Sequence, residues 1–319
     1  MKIGLLLDNV PLGDTVPDSS IRKLTLMRAT CVGTLWTAGT KHRREVYERC
    51  EAILQEPEYL VRVGGHRQTP GEWLDDAAAA ACEMPEGARR RSFAVVGNEP
   101  NIEGWVDDPE GYGRFYRMVT QVEHEAIFAC PSIGVDGWEE YLRVALYHAR
   151  PVRHMAVNLY DRGWQWIERI RQIWREFHSI DDQARIYVTE LNTLRPDRVP
   201  WLRSTLRQLA EADVEACTLF IAGGRSNGAW DERYIIDEQE AAEIGQLMKE
   251  DTVSLRQQFP EAYAQWEREG GPENNFRKHA LALGLIAPTA KDIHFLAAEA
   301  RASLDQLQAA LAAYLAIHK

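Results

Sequence analysis

The sequence predicts a (β/α)8 barrel with a C-terminal helical extension. Short apolar runs alternate with longer runs of helical period. Eight such pairs fit into residues 1–250. The short runs are apolar throughout, as expected of strands covered by helices outside and filled by side chains inside.

The elements follow in order. KIGLLLD (2–8) is the first strand, and a helix over 18–28 follows, with Asp18 or Ser19 as cap. CVGTLWT (31–37) is the second strand. Its helix, 42–56, carries Val46, Cys50, Ile53 and Leu54 on one stripe. EYLVRVG (58–64) precedes a helix over 69–83, capped by Thr69 with Pro70 in first position. SFAVVG (92–97) is the fourth strand, and the next helix, about 109–125, aligns Tyr112, Phe115, Val119 and Val122. IFACPSI (127–133) pairs with a helix over 137–149, and HMAVNLY (154–160) with an amphipathic helix over 164–177. RIYVTE (185–190) and VEACTLFIAG (214–223) are strands seven and eight, with helices at 199–212 and 238–250. An open doubly wound sheet would carry a glycine-rich turn after its first strand, but NVPLGD stands there.

Composition narrows the partners. The net charge of -11 argues against nucleic acid, and no basic stripe exists. The five cysteines are scattered, without a CxxC pair, so neither a structural zinc nor a disulfide framework is expected. Free thiols fit a reducing compartment. The N-terminal apolar run is cut by Asp8 and reads as a strand rather than a signal peptide. No run reaches the length of a membrane span. The expected setting is cytoplasmic, with no membrane partner.

After residue 250 the alternation stops. Residues 251–319 read as a helical extension, with a heptad-like stripe through Ile293, Ala297, Ala300, Leu304, Leu307, Leu311 and Tyr314. Two readings stand for 290–318: docking on its own barrel, or self-association.

In a barrel of this kind, chemistry sits where strands end and loops begin. The fourth strand ends at GNEPN, giving Asn98 and Glu99, and the seventh at TELN, giving Glu190. Both glutamates follow apolar β-runs directly, on strands roughly across the mouth from one another. Paired carboxylates with room between them suit glycosidic cleavage: one protonates the leaving oxygen, the other attacks or activates water. Arg62, inside the third strand, needs a partner if buried, and Glu190 would serve. Asn158 and Tyr160 end the sixth strand, and His66 lies in the loop after the third. Trp36, Trp105, Trp164 and Trp230 fall at strand ends or in the following loops, where flat rings can stack on sugar faces. His42, His124, His148, His178 and His279 fall on predicted helices, and no ligand spacing emerges. No metal or other cofactor is required.

These residues resemble the clan of retaining glycoside hydrolases with a (β/α)8 barrel and catalytic glutamates on strands four and seven. The resemblance covers residues 1–250 and implies a β-linked carbohydrate substrate. It gives Glu99 the acid/base role, Glu190 the nucleophile role, Asn98 a contact to the sugar 2-hydroxyl, and Tyr160 a hydrogen bond to the nucleophile. Two positions depart from the clan's pattern. Asn158 stands where a His is frequent, and Phe220 or Ile221 where a Trp commonly ends strand eight. The VVGNE string and short loops also resemble bacterial and plant β-1,3-glucanase-like members. The competing reading is a catalytically silent barrel that binds carbohydrate or serves an assembly. A metal-dependent barrel hydrolase is weaker, for want of clustered His and Asp ligands.

Overall fold

The computed structural model describes residues 1–8, 14–37, 39–163, 165–177, 184–223, 232–251, 261, 264 and 265. The chain divides into two compact units, Met1–Met248 and Lys249–Lys319. The heptad-like stretch 290–318 lies outside the described residues.

Eight parallel strands close the first unit into a TIM barrel. The strands are β1 (Lys2–Leu6), β2 (Cys31–Thr37), β3 (Thr40–Lys41), β4 (Glu58–Val63), β5 (Ser92–Val96), β6 (Ile127–Ala129), β7 (His154–Tyr160), β8 (Arg185–Asn192) and β9 (Val214–Leu219). The two-residue β3 pairs antiparallel with β2 and takes no place in the ring. β5 and β8 are therefore the fourth and seventh barrel strands. The ring closes where β1 pairs with both β2 and β9. Below that seam, Lys2 meets Glu58 of β4 and lies 3.1 Å from Glu215 of β9.

The helices are α1 (Asp18–Met27), α2 (Arg44–Ile53), α3 (Pro70–Cys82), α4 (Glu86–Arg90), α5 (Pro109–Val119), α6 (Trp138–Ala149), α7 (Gln165–Arg175), α8 (Arg198–Glu211) and α9 (Glu238–Asp251). Side-chain alternation divides the core into two. Ile3, Leu5 and Leu7 join the large layer between strands and helices. Leu6, on the opposite face of the same strand, joins Leu35, Phe220 and Ile221, with Tyr160 and Tyr234 packed against them.

Some expected boundaries shift, each for a local reason. β6 stops at Ala129 rather than residue 133. Cys130 still donates to Ala156 O at 2.8 Å, but Pro131 has no N–H, and the Ser132 N–H is taken by Asn101. α5 ends at Val119, six residues early, because Thr120 turns its hydroxyl onto Arg117 O and His124 Nδ1 sits 2.8 Å from Thr120 O. Val122, expected on the buried face, is 67% exposed. Ile53, at the last position of α2, is likewise 40% exposed. Pro17, not Asp18 or Ser19, holds the N-cap position of α1; Asp18 instead meets the positive end of the helix from inside its first turn. The short α4, started by Pro85, and the β3 hairpin were not anticipated. His42 precedes α2 rather than lying on it. It is buried, neither ring nitrogen has a hydrogen-bond partner among the described residues, and burial pushes it down to about 4.

The close packing of α5 on α6 depends on a glycine. A Cβ at Gly113 of α5 would lie 2.3 Å from the Ala145 carbonyl oxygen of α6. Gly113→Ala would gain about 1 kcal/mol of helix propensity. Overpacking against backbone costs typically 1–3 kcal/mol, and this overlap is severe. The expected net effect is destabilisation by about 1–2 kcal/mol, measured by chemical denaturation; an equal or higher midpoint would contradict the packing argument.

Candidate active site

The strand-end string GNEPN turns at Gly97. That residue has φ 81°, a left-handed conformation that side chains resist. Nothing lies within 4 Å of where its Cβ would stand, so the dihedral alone calls for glycine. The chain then folds into one tight turn, with Glu103 N donating to Glu99 O at 2.9 Å. That turn carries Glu103 back to Asn98, whose Nδ2 donates to Glu103 Oε1 at 2.8 Å. Asn101 is buried and grips the next strand's loop: Ser132 N donates to Asn101 Oδ1 at 2.5 Å, and Asn101 Nδ2 to Ser132 O at 3.1 Å. The Ser132 side chain lies close to the Glu99 carboxyl and works to lower its pKa.

Across the mouth, a β-bulge positions Glu190. Val157 of β7 is opposite Val188, but Asn158 is opposite Glu190, so Thr189 is an extra residue on β8. A bulge re-aims the side chain that follows it. It also strands polar groups, which must find partners. Here the Thr218 hydroxyl donates to Thr189 O at 2.5 Å, and the Thr189 hydroxyl donates to Asn158 Oδ1 at 2.8 Å. That second bond orients the Asn158 amide, whose Nδ2 donates to Asn98 Oδ1 at 3.1 Å and whose side chain lies near Glu99.

Arg62 joins the two sides. Its Nη1 donates to Asn98 Oδ1 at 3.1 Å and to Glu190 Oε1. The Tyr160 hydroxyl donates to Glu190 Oε2, so each oxygen of this carboxylate is engaged. Arg62 is 8% exposed and Glu190 2%, which makes this a buried ion pair. Burial draws Arg62 below its ordinary value, while Glu103, Tyr160 and Glu99 pull it back up. Burial also pushes the Tyr160 phenol well up, keeping it a donor. Behind it, Tyr160 packs edge-on to Phe220 and Tyr234, with ring centroids 5.6 Å away in each case.

Glu99 is half-buried. Burial raises its carboxyl above the usual range. Ser132, Arg62 and Asn158 oppose the shift and Glu103 adds to it, leaving a net rise. The site thus holds a carboxyl that favours its proton beside one that faces a guanidinium.

Of the sequence-selected residues, Arg62, Asn98, Glu99, Asn158, Tyr160 and Glu190 share this one network. His66 is exposed and lines a small cavity with Asn98, Glu103 and Trp105. Trp36 is buried at the end of β2, with Lys41 Nζ 5.4 Å from its ring centre and its indole N–H without a hydrogen-bond partner among the described residues. Trp105 is buried against Phe115 at 5.2 Å, with Arg67 4.6 Å from its ring, so it packs the loop onto α5 rather than standing free. Trp164 and Trp230 lie outside the described residues. Sequence reasoning missed Glu103, Asn101, Ser132, Thr189 and Thr218. Only Asn101 carried a visible signal, as the last residue of GNEPN.

No family model matches this sequence, and no curated protein matches it. Solved structures do. A GH26 β-mannanase from Bacteroides ovatus aligns with a TM-score of 0.53 at 14% identity, covering 79% of this chain and 88% of that one. The catalytic domain of a mannanase from Streptomyces sp. SirexAA-E aligns at 0.50 and 14% identity, covering 74% and 78%. A family 51 α-L-arabinofuranosidase from Bifidobacterium longum aligns at 0.42 and 12%, covering 66% of this chain; this chain spans only 57% of its length. At such identities the likeness is one of fold.

The shifted Glu99 carboxyl makes stability depend on pH. Its raised value in the fold favours the protonated form. That contribution is complete below the unfolded value near 4.3 and is lost as pH rises through the folded value. Glu99→Gln carries no such loss. The variant is expected to melt above wild type at pH 8, with the gap closing toward pH 4. A gap independent of pH in thermal melts would contradict the shift.

Proposed function

We propose that this chain is a glycoside hydrolase cleaving β-linked glycosidic bonds by double displacement. One observation carries the reading. Two glutamates at the ends of the fourth and seventh barrel strands converge on one polar cluster around Arg62 and Asn158, one pushed toward its protonated form and the other bound to Arg62. The fold it shares with the two mannanases supports it.

In the first step the Glu190 carboxylate attacks the anomeric carbon. The bond to the leaving oxygen breaks, and the Glu99 proton passes to that oxygen. Arg62 and Tyr160 aim the attacking carboxylate. In the second step Glu99, now a base, takes a proton from water. The water oxygen attacks the anomeric carbon and Glu190 leaves as a carboxylate, giving net retention. Asn98, held by Arg62, Asn158 and Glu103, faces the sugar 2-hydroxyl. On this reading the two carboxyl groups stand about 5–5.5 Å apart in a crystal structure. A separation of roughly 6.5–9.5 Å would replace retention by inversion.

Activated aryl β-glycosides and β-glycan oligosaccharides test the assignment. Glu190→Ala abolishes turnover of both. Glu99→Ala loses about 10²–10⁴-fold on oligosaccharides, the usual worth of a general acid, and far less on aryl glycosides whose leaving group needs no proton. Azide restores turnover of that variant as a glycosyl azide of retained configuration. Full activity in Glu190→Ala would refute the roles, and wild type inert on every glycoside would leave the silent barrel.

The pH–rate profile is the companion test. kcat/KM falls as pH rises through the raised value of Glu99, because the acid is lost. Glu99→Gln removes that alkaline limb on aryl substrates; an unchanged limb would assign it to another group.

A further inference from the structure

A groove of about 510 Å³ opens between the loops that follow β6 and β7, outside the network described above. It is lined by Val135, Asp136, Trp138, Glu140, Arg162 and Trp166, among others. Trp138 and Trp166 meet edge-on, with centroids 5.8 Å apart at 60°. The Arg162 guanidinium lies 4.6 Å from the Trp166 ring centre. Val135 is 38% exposed, an uncovered apolar side chain at the rim.

Two connections tie this groove to the glutamates. Ser132, whose side chain lies close to the Glu99 carboxyl, stands two residues before Gly134 of the groove wall. Tyr160, the phenol partner of Glu190, stands two residues before Arg162. Around the ring, β6 and β7 lie between β5, which leads to Glu99, and β8, which carries Glu190. The groove therefore lies on the arc of the ring between the strands that lead to the two carboxyls.

Its chemistry selects a kind of occupant. Asp136, Glu140 and Arg162 make no ion pair among the described residues, whereas neighbouring Arg143 is held by Glu139 and Glu176. Charges of both signs without an ion-pair partner among the described residues do not match a ligand of one net charge. They match hydroxyls, which donate to carboxylates and accept from a guanidinium. The indoles and Val135 supply apolar surface beside them. A pyranose has that combination of apolar faces and a hydroxyl rim, and the volume lies within the range of small-molecule sites.

We infer that this groove binds the leaving-group side of an extended β-glycan, with Trp166 and Arg162 as its specificity-determining contacts. The inference rests on the glycosidase reading. It assigns the side because the wall continues from Ser132, which lies close to the acid, and the acid protonates the departing oxygen. The substrate is then an oligomer or polymer that extends past the scissile bond, not a simple terminal glycoside.

The experiment uses the full chain with Trp166→Ala and Arg162→Ala. Arg162 is a loop residue whose removal leaves the core untouched, so it guards against a misfolded Trp166 variant. Kinetics compare β-1,4-mannohexaose, cellohexaose and laminarihexaose with aryl glycosides of the same sugar. The expected result is about a tenfold rise in the ratio of the hexasaccharide KM to the aryl-glycoside KM in each variant, equivalent to about 1.4 kcal/mol. An unchanged ratio overturns the inference while leaving the glycosidase intact. Titration calorimetry with the same hexasaccharides uses a Glu99→Gln background, in which oligosaccharide turnover is slow. That parent binds at least one of them, and adding Trp166→Ala or Arg162→Ala weakens the binding about tenfold. Equal binding by the double variants, or no binding by the parent, overturns the groove even if wild type cleaves aryl glycosides. Inertness toward aryl glycosides, by contrast, overturns the glycosidase reading itself.

Discussion

A guanidinium buried at the mouth of the barrel governs the residues around it. A buried cation without a partner is strongly disfavoured, and breaking such a pair by removing one member costs about 3–5 kcal/mol. Arg62 therefore demands a carboxylate at its own level, and β8 supplies Glu190 there. The bulge at Thr189 is how β8 meets that demand without shifting its whole register. The bulge then needs the Thr218 and Thr189 hydroxyls to satisfy its displaced polar groups. Asn98 is drawn in from the other side, since its Oδ1 accepts from both Arg62 and Asn158.

The string at the end of β5 is more than a turn. Its glycine permits the reversal, its glutamate stands within the electrostatic reach of Arg62, and its last asparagine fastens the loop after β6. A generic strand-to-loop connection would explain the glycine and proline. It would not explain a buried Asn101 whose amide is matched on both sides by the backbone of Ser132.

Much of this was legible in the chain because it follows from period and position. Apolar runs such as LVRV and AVV mark strands buried on two faces, and the alternation with amphipathic segments marks the barrel. Once the strands are placed, Glu99 and Glu190 fall at their ends by counting. Arg62 was legible for a different reason, as a charge where none is tolerated unpaired. The bulge was not legible, because RIYVTELN reads as an unbroken strand and only its pairing with β7 reveals the extra residue. Ser132 and Glu103 were hidden because loops bring them in, and Ser132 was lost inside a run that reads as strand. Trp105 looked like a sugar platform by position, yet α5 passes close enough to claim it for packing.

The closing seam sets the order in which the molecule can be finished during synthesis. β1 is made first, but one of its two neighbours is β9, which begins about 200 residues after β1 ends. At roughly 5–20 residues per second, that neighbour appears some 10–40 s later. Until then Ile3, Leu5 and Leu7 have only one flanking strand, and Lys2 has Glu58 but not Glu215. The first strand made is thus among the last to be secured, and the nascent barrel must keep an open, adhesive edge through most of its translation.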